Sequence, residues 1–302
     1  MMVCLITLCI AAVGTTRLTQ LPPSINPFVR SKEGTARAKS QVSVDASRAI
    51  KQAMVDGTQL MEVEFPALLG YKTQFDDFSN LEMLDANRDF ALELIPQLGV
   101  EGRPWVCLLD GDEVKLAKEA YPGAAYQRSA MLTPLASAAE WCSGKRAASW
   151  LENAMSSFMP GQESENVGDE VPACFLVVQP CEEGRVNDWL NMEYLSTGRG
   201  AGRPIICING YLDKQRSGYY PKWQFPEITR CGDEFLSKFD QVYFLKPIQL
   251  SGRVGWLFRV YGEPWQFYSQ ERDQEKLLET FDERPTFDQM KACMLQADVS
   301  KR

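Results

Sequence analysis

Short apolar runs that alternate with helical patterns limit the fold of this chain more than any other feature. At 52–70 a helix-patterned stretch ends at Gly57, and the strand-patterned run 60–65 follows at once and ends at Pro66. Similar apolar runs occur at 105–109, 174–178 and 204–208. Strands that are apolar on both faces are typical of parallel sheets covered by helices on both sides. The pattern therefore predicts an α/β fold built on such a sheet.

Helical periodicity fills the connections between these runs. Apolar residues recur there at spacings of three and four, which places them on one face of a helix. The acidic stretch 160–171, which contains Gly and Pro, is predicted to be a surface loop. Helices are predicted at 44–57, 87–98, around 137–158 and from Val186 onward.

The last third of the chain changes to β-rich sequence. Four runs there are predicted to be strands: 242–250, 253–261, 265–269 and 277–281. The first two flank Ser251-Gly252, which is a hairpin signal. A closing helix is predicted to begin near Thr286, because Thr286 and Gln289 have capping-box spacing. The predicted fold class is therefore α/β, a mostly parallel sheet covered by helices on both faces, with a C-terminal antiparallel β extension.

The chain contains no histidine in its 302 residues. This excludes Ser-His-Asp triads, Cys-His dyads and His-bearing metal sites. The net charge of −8 disfavours nucleic acid as a partner, because its binders need a concentrated basic face. We predict no metal site and no cofactor from the sequence.

Cysteine usage indicates a reducing compartment. Nine cysteines are present without a CxxC pair, and Cys107, Cys174 and Cys207 lie inside apolar runs, where Cys behaves as a small hydrophobe. Seven remain beyond Cys4 and Cys9, and this odd number disfavours a complete disulfide framework.

The first 43 residues have the composition of a two-part leader. The apolar run 3–13 is too short for an ordinary transmembrane helix and has the character of a signal-peptide core, with Ala12-Val13-Gly14 as a cleavage site. The stretch 15–43 is rich in Ser and Thr and has five basic residues against one acid, as in transit peptides. We therefore predict import into a plastid, with plain secretion as the alternative. No later segment is long and apolar enough to span a membrane.

An ordered set of motifs resembles one protein family. The motifs are DGTQLMEVEFPAL, WVCLLDGD, FLVVQP, GRPIICING, FLSKFDQVYFLKPI, RVYGEPWQFY and FDERPTFDQM. In this order and spacing they are similar to the plant, algal and cyanobacterial domain of unknown function 1995, over residues 44–297. The resemblance implies residence in the chloroplast stroma and, for some members, a role in photosystem II accumulation; the domain is also fused to some chloroplast adenylate kinases. The predicted organisation is a leader at 1–43, one α/β domain at 44–297 and a tail at 298–302.

Each of the four predicted parallel strands ends on a polar residue. These residues are Glu64, Asp110, Gln179 and Asn209. Ligands of open α/β sheets bind beyond the carboxyl ends of the strands, so the four side chains form a candidate ligand site. The alternative is that polar residues simply terminate strands.

Two further motifs are candidate sites. The glycine-rich stretch 198–203 could bind an anion through Arg199 and Arg203, or it could be a plain helix-to-strand connection. It precedes a strand, so it is not a dinucleotide fingerprint. The acidic stretch 110–113 could hold a hard cation, but we favour helix capping, because acids commonly stand at the start of a helix.

A cluster of aromatic residues interrupts the pattern before the last third. Tyr219, Tyr220, Trp223 and Phe225 are predicted either to form an exposed recognition surface or to pack over the sheet edge.

The leader, the acidic chain without histidine and the family resemblance together favour a non-catalytic plastid accessory factor. The resemblance implies that such a factor supports assembly or accumulation of photosystem II. Its expected partners are photosystem II subunits or assembly factors at the thylakoid surface. The alternative is an enzyme or sensor that binds a small phosphorylated metabolite or nucleotide at the strand carboxyl ends.

Overall fold

A nine-stranded mixed sheet organises the chain. The computed structural model describes residues 18–20, 32–67, 80–120, 129–144, 170–180, 185–250, 252–271 and 274–299. The strands are β1 (Leu60–Glu64), β2 (Trp105–Leu108), β3 (Met131–Pro134), β4 (Phe175–Val178), β5 (Ile205–Ile208), β6 (Asp240–Leu250), β7 (Arg253–Val260), β8 (Trp265–Glu271) and β9 (Gln274–Phe281). Their order in the sheet is β3-β2-β4-β5-β1-β6-β7-β8-β9.

The first six strands in that order run parallel, and β6 to β9 pair antiparallel. The predicted fold class is confirmed. The four strands predicted from apolar runs all point the same way, so their carboxyl ends lie at one edge of the sheet. The antiparallel extension is also confirmed, with β6 belonging to both parts.

Helices cover both faces of the sheet. They are α1 (Lys32–Val55), α2 (Asn80–Leu98), α3 (Gly111–Ala120), α4 (Leu135–Ser143), α5 (Asn187–Leu195), α6 (Leu212–Arg216), α7 (Pro226–Glu234) and α8 (Phe287–Val299). One core joins α1, α2 and α3 to one face, and a second joins α4 to α7 to the other face. A third core packs α8 against the antiparallel strands.

The chain leaves β1 and β5 on opposite faces of the sheet. The next described helix after β1 is α2, which belongs to the first core, whereas β5 leads to α6 in the second core. Because β1 and β5 are neighbours, their carboxyl ends form a topological switch point, where open α/β sheets commonly bind ligands.

Several element bounds differ from the sequence predictions. Helix α1 begins at Lys32 rather than at 44, and its residue Val42 is fully buried. Strand β3 and helices α6 and α7 were not predicted. The first two have only four and five residues, which is too short to show a period. Helix α7 does carry the signal, because its buried residues Ile228, Cys231 and Gly232 have helical spacing. Helix α4 ends at Ser143, where Gly144 adopts a left-handed φ of 64°. The rest of the helix predicted for 137–158 lies outside the described residues, as does most of the predicted loop at 160–171.

Most of the predicted leader also lies outside the described residues, but its short piece 18–20 contacts the body of the fold. Thr19 donates hydrogen bonds to the Glu263 carboxylate from its backbone N–H, at 2.8 Å, and from its hydroxyl. Gln41 Nε2 donates to the carbonyl of Gln20 at 3.0 Å. Among the described residues, no helix combines the length and apolar character needed to span a bilayer.

Candidate functional site

Strand β1 is apolar on one face and acidic on the other. Met61 and Val63 point into the core under α1 and α2. Glu62 and Glu64 alternate with them and therefore point to the face that carries α6. Both carboxyl groups are buried; Glu62 has 0% and Glu64 7% of its surface exposed. Buried carboxylates are rare unless they are paired, so this strand needs cationic partners.

Two cations approach these carboxylates from neighbouring elements. Arg216 on α6 donates from Nη1 to Glu62 Oε2 at 2.7 Å. Lys246 on β6 donates from Nζ to Glu64 Oε1 at 3.2 Å. The second oxygen of each carboxyl group, Glu62 Oε1 and Glu64 Oε2, is buried and has no hydrogen-bond partner.

Asp213 on α6 connects the cations to one another. Lys246 Nζ lies 2.9 Å from Asp213 Oδ2. Arg284, in the turn between β9 and α8, binds both oxygens of Asp213 at 2.7 and 2.9 Å. The Arg284 guanidinium also lies 4.8 Å from the Phe244 ring centroid, which holds it against the third core. We call these six residues the charged cluster: Glu62, Glu64, Asp213, Arg216, Lys246 and Arg284.

The charged cluster is layered, with the glutamates beneath the cations. The side chains of Arg216, Lys246 and Arg284 are 27–32% exposed, whereas Glu62 is fully buried. Three acids face three bases, so protonation of one carboxylate makes the cluster net positive. A cationic surface over buried acids could bind an anionic ligand through the remaining N–H donors of Arg and Lys.

Burial and neighbouring charges shift the pKa values in the cluster in opposite directions. Burial raises the pKa of Glu62 to about 7, despite the nearby Arg216 guanidinium. Burial likewise raises the pKa of Glu64, against the opposing charge of Lys246. Burial alone would also raise the pKa of Asp213, but the hydrogen bonds from Arg284 and the charge of Lys246 hold it well below its usual range. The cluster therefore contains one carboxyl group that titrates near neutrality beside one that stays ionised.

Three amide side chains meet at the carboxyl ends of β4 and β5, and we call them the amide triad. Asn87 on α2 donates from Nδ2 to Gln179 Oε1 and accepts from Asn209 Nδ2 at 2.6 Å. Asn209 Oδ1 accepts from the backbone N–H of Phe65 at 2.8 Å, which links the triad to the end of β1. All three amides are buried. Gln179 and Asn209 have left-handed φ values of 46° and 49°, a conformation that is uncommon outside glycine.

The fourth strand-end residue, Asp110, caps helix α3. Its Oδ1 accepts from the backbone N–H groups of Asp112 and Glu113 at 3.1 and 3.0 Å, so the predicted capping role is confirmed. Its Oδ2 lies 3.1 Å from Arg185, which follows β4. Within the described ranges no group of three potential ligands that could hold a metal ion is present.

Arg199 and Arg203 lie away from these strand ends. They precede β5, whereas Asn209 follows it, so the two arginines belong to the opposite edge of the sheet. The Arg199 guanidinium lies 5.2 Å from the Trp141 ring centroid. The six predicted ligand-binding residues thus lie in four places: Glu64 in the charged cluster, Gln179 and Asn209 in the amide triad, Asp110 at the α3 cap, and Arg199 and Arg203 at this opposite edge. Their role in ligand binding stays a prediction.

The aromatic residues between β5 and β6 divide into two classes. Tyr220 and Phe225 are half-buried against the second core, and their ring centroids are 5.3 Å apart. Tyr219 and Trp223 are exposed, at 69% and 83%. Tyr219 and Trp223 are thus exposed as the first interpretation requires, and their role in recognition stays a prediction, whereas Tyr220 and Phe225 pack against the second core.

The described cysteines offer no activated thiolate. Six are free thiols, and all but Cys293 are buried. Burial raises the pKa of Cys142 and of Cys174 to about 12, which keeps both thiols protonated.

Sequence reasoning missed most of the charged cluster. Glu62 carried a signal, since a second acid two residues before Glu64 in an apolar strand indicates an acidic face. Asp213, Lys246 and Arg284 carried none, because their partners are distant in sequence.

The fold and this cluster define an α/β protein with a mixed sheet and a buried charged site at the carboxyl ends of its central parallel strands. The chain belongs to the DUF1995 family, a domain of unknown function whose family model matches residues 38–292. No curated protein and no solved structure matches the chain significantly.

Proposed function

We propose that the protein is a non-catalytic plastid accessory factor that supports assembly or accumulation of photosystem II. The proposal builds on membership of the DUF1995 family. It also builds on the resemblance of the motifs to the chloroplast protein Low PSII Accumulation Three and on the two-part leader composition of 1–43. One structural observation supports it most. The polar groups at the strand carboxyl ends bond mainly to one another, through the amide triad and the charged cluster. This mutual bonding supports a structural role for these groups.

Co-purification from a plastid-bearing cell tests the accessory role. A tagged full chain should enrich photosystem II subunits or assembly factors over a tagged acidic stromal protein of similar size. Recovery of neither class at endogenous expression would contradict the role. A fusion of residues 1–43 to a fluorescent protein tests the location separately, because secretion of that fusion would contradict plastid import.

A second candidate function rests on the partly exposed cations of the charged cluster. Glu62 Oε1 and Glu64 Oε2 lack hydrogen-bond partners beneath partly exposed cations at the β1/β5 switch point. Such a site suits an enzyme or sensor for a small phosphorylated metabolite or nucleotide, whose phosphate would contact Lys246 and Arg284. In this candidate function, the ligand would have to displace part of the existing ion pairing.

Thermal-shift measurements with nucleotides, sugar phosphates and inorganic phosphate separate the two candidates. A ligand that binds only the folded state raises the melting temperature by mass action. Lys246→Met should abolish such a shift, whereas Lys115→Met, at an exposed lysine on α3, should preserve it. An absence of any shift at millimolar ligand would count against this second function.

A further inference from the structure

The segment between α6 and α7 presents an exposed aromatic tip. Trp223 is 83% exposed, the largest value among the exposed large hydrophobic residues described, and Tyr219 is 69% exposed. Tryptophan is usually well buried in a folded protein, so a nearly fully exposed Trp that shares a short loop with an exposed Tyr is a candidate contact surface. We call residues 217–224 the aromatic loop.

Contacts with the second core fix the position of the aromatic loop and of its tip. The Tyr220 ring lies 5.4 Å from the Trp189 ring and 5.3 Å from the Phe225 ring, in edge-on contacts within the second core. The backbone N–H groups of Gln224 and Phe225 both donate to the carbonyl of Pro221, at 3.0 and 2.9 Å. A preorganised tip loses little conformational entropy when it binds.

The charges around this tip differ in sign from the rest of the protein. Lys214 and Lys222 are exposed on either side of Tyr219, whereas the chain as a whole has a net charge of −8. The one acid of the same stretch, Asp213, is ion-paired within the charged cluster. The next acid along the chain is Glu227 on α7, which shares Arg230 with Glu193 and Glu234. The stretch 214–226, which contains the aromatic loop, thus carries Lys214, Arg216 and Lys222 and no acid, so it is a basic, aromatic stretch of an acidic chain.

We propose that the aromatic loop docks the protein reversibly onto an anionic lipid surface. Trp and Tyr rings favour the boundary between lipid headgroups and acyl chains, and lysines beside them attract anionic headgroups. A stable protein interface needs roughly 800 Å² from each partner. Two exposed rings on a single loop fall short of that area, but they suffice for shallow insertion into a lipid surface. The acidic remainder of the molecule is repelled by the same surface, which limits the contact to this loop.

Vesicle flotation of the full chain tests the proposal. Phosphatidylcholine vesicles with and without phosphatidylglycerol serve as the probe. We expect binding that requires phosphatidylglycerol and is weakened by salt. Trp223→Ala should lower the partition coefficient by about tenfold, because one large apolar side chain no longer leaves water. The double change Lys214→Glu and Lys222→Glu should abolish the preference for phosphatidylglycerol.

Phe287→Ala is the matched control, because Phe287 is an exposed aromatic residue on α8, outside the loop. It should bind as the wild type does. The apolar run 3–13 is common to all variants, so binding through that run would be equal in all of them and would overturn the proposal. Absence of vesicle binding would also overturn the proposal. So would a protein that co-purifies with the wild type and is lost on Trp223→Ala, because Trp223 would then contact a protein instead of lipid. The photosystem II proposal is tested by different measurements and does not depend on this outcome.

Discussion

Glu62 and Arg216 form an ion pair in which Nη1 lies 2.7 Å from Oε2, with the carboxyl group fully buried and the guanidinium partly exposed. The pair joins the central strand β1 to the short helix α6, which also carries Asp213. Since Glu62 Oε1 has no partner, this pairing compensates the burial of the carboxylate only in part. The raised pKa of Glu62, about 7, follows from that burial.

Glu62→Gln should flatten the dependence of stability on pH. The folded state holds the Glu62 proton up to a pKa of about 7, whereas the usual value is 4.5. The free energy of unfolding of the wild type should therefore fall as pH rises from about 4.5 to about 7, by on the order of 3 kcal/mol from this group. Urea denaturation at pH 5 and pH 8 measures this difference, and the variant should lack the part of it that comes from Glu62, whereas the part from Glu64 remains.

Glu101→Gln serves as the control for that measurement, because Glu101 is exposed. Its pH dependence should match that of the wild type. If the free energy of unfolding changes equally with pH in Glu62→Gln and in the wild type, the Glu62 carboxyl group titrates in the folded protein as it does in the unfolded chain.

Asp213→Ala should destabilise the protein by about 2–4 kcal/mol. This is less than the cost of breaking a fully buried ion pair, because the cations of the cluster are partly exposed. Lys246 and Arg284 would lose their shared carboxylate. The pKa of Asp213 is lowered, so its contribution is present above the usual value of 3.8 and is lost as pH falls below it. Denaturation at pH 7 measures the loss. Asp112→Ala, which removes an exposed partner of Lys115, should cost under 1 kcal/mol, or about the value of a surface pair.

Asn87→Ala should cost about 2–3 kcal/mol, because it leaves the buried amides of Gln179 and Asn209 without the hydrogen bonds that Asn87 provides. Leu81→Ala on the same helix is the control, since Leu81 is 64% exposed and should change stability little. Thermal melting of both variants gives the comparison. Similar melting temperatures for the two would contradict a structural role of the amide triad.

The start of α1 gives a test of the predicted leader boundary. A chain that begins at Val44 lacks the fully buried Val42 and the hydrogen bond from Gln97 to Ser43, which is 2.7 Å long. It should be about 2 kcal/mol less stable than a chain that begins at Lys39, which keeps both. Equal stability would show that residues 39–43 contribute nothing to the folded domain.

The sequence predicted the parallel strands well because burial on both faces leaves a direct mark. The runs that became β2, β4 and β5 contain only apolar residues, and all their positions are buried. Strand β3 escaped prediction because it lies at the edge of the sheet, where Thr133 and Pro134 interrupt an already short apolar run. The capping box of α8 was correctly predicted, with the backbone N–H of Thr286 donating to Gln289 Oε1 at 2.8 Å.

The candidate site was predictable only where a residue's role depends on its own neighbours. Asp110 caps the helix that follows it, and this local relation is visible in the sequence. Lys246 and Glu64 are 182 residues apart, and their contact depends on β6 pairing beside β1. No local pattern encodes that adjacency, so the cations of the cluster emerge only from the folded arrangement.

The two-sidedness of β1 has a consequence for how the sheet assembles. Sliding β1 by one residue against β5 would turn both glutamates toward the apolar core under α1 and bring Met61 and Val63 opposite Arg216 and Lys246. Such a mispaired state would leave two carboxylates and two cations without their partners. The buried charges therefore raise the free energy of any register in which β1 is displaced by an odd number of residues at the centre of the sheet.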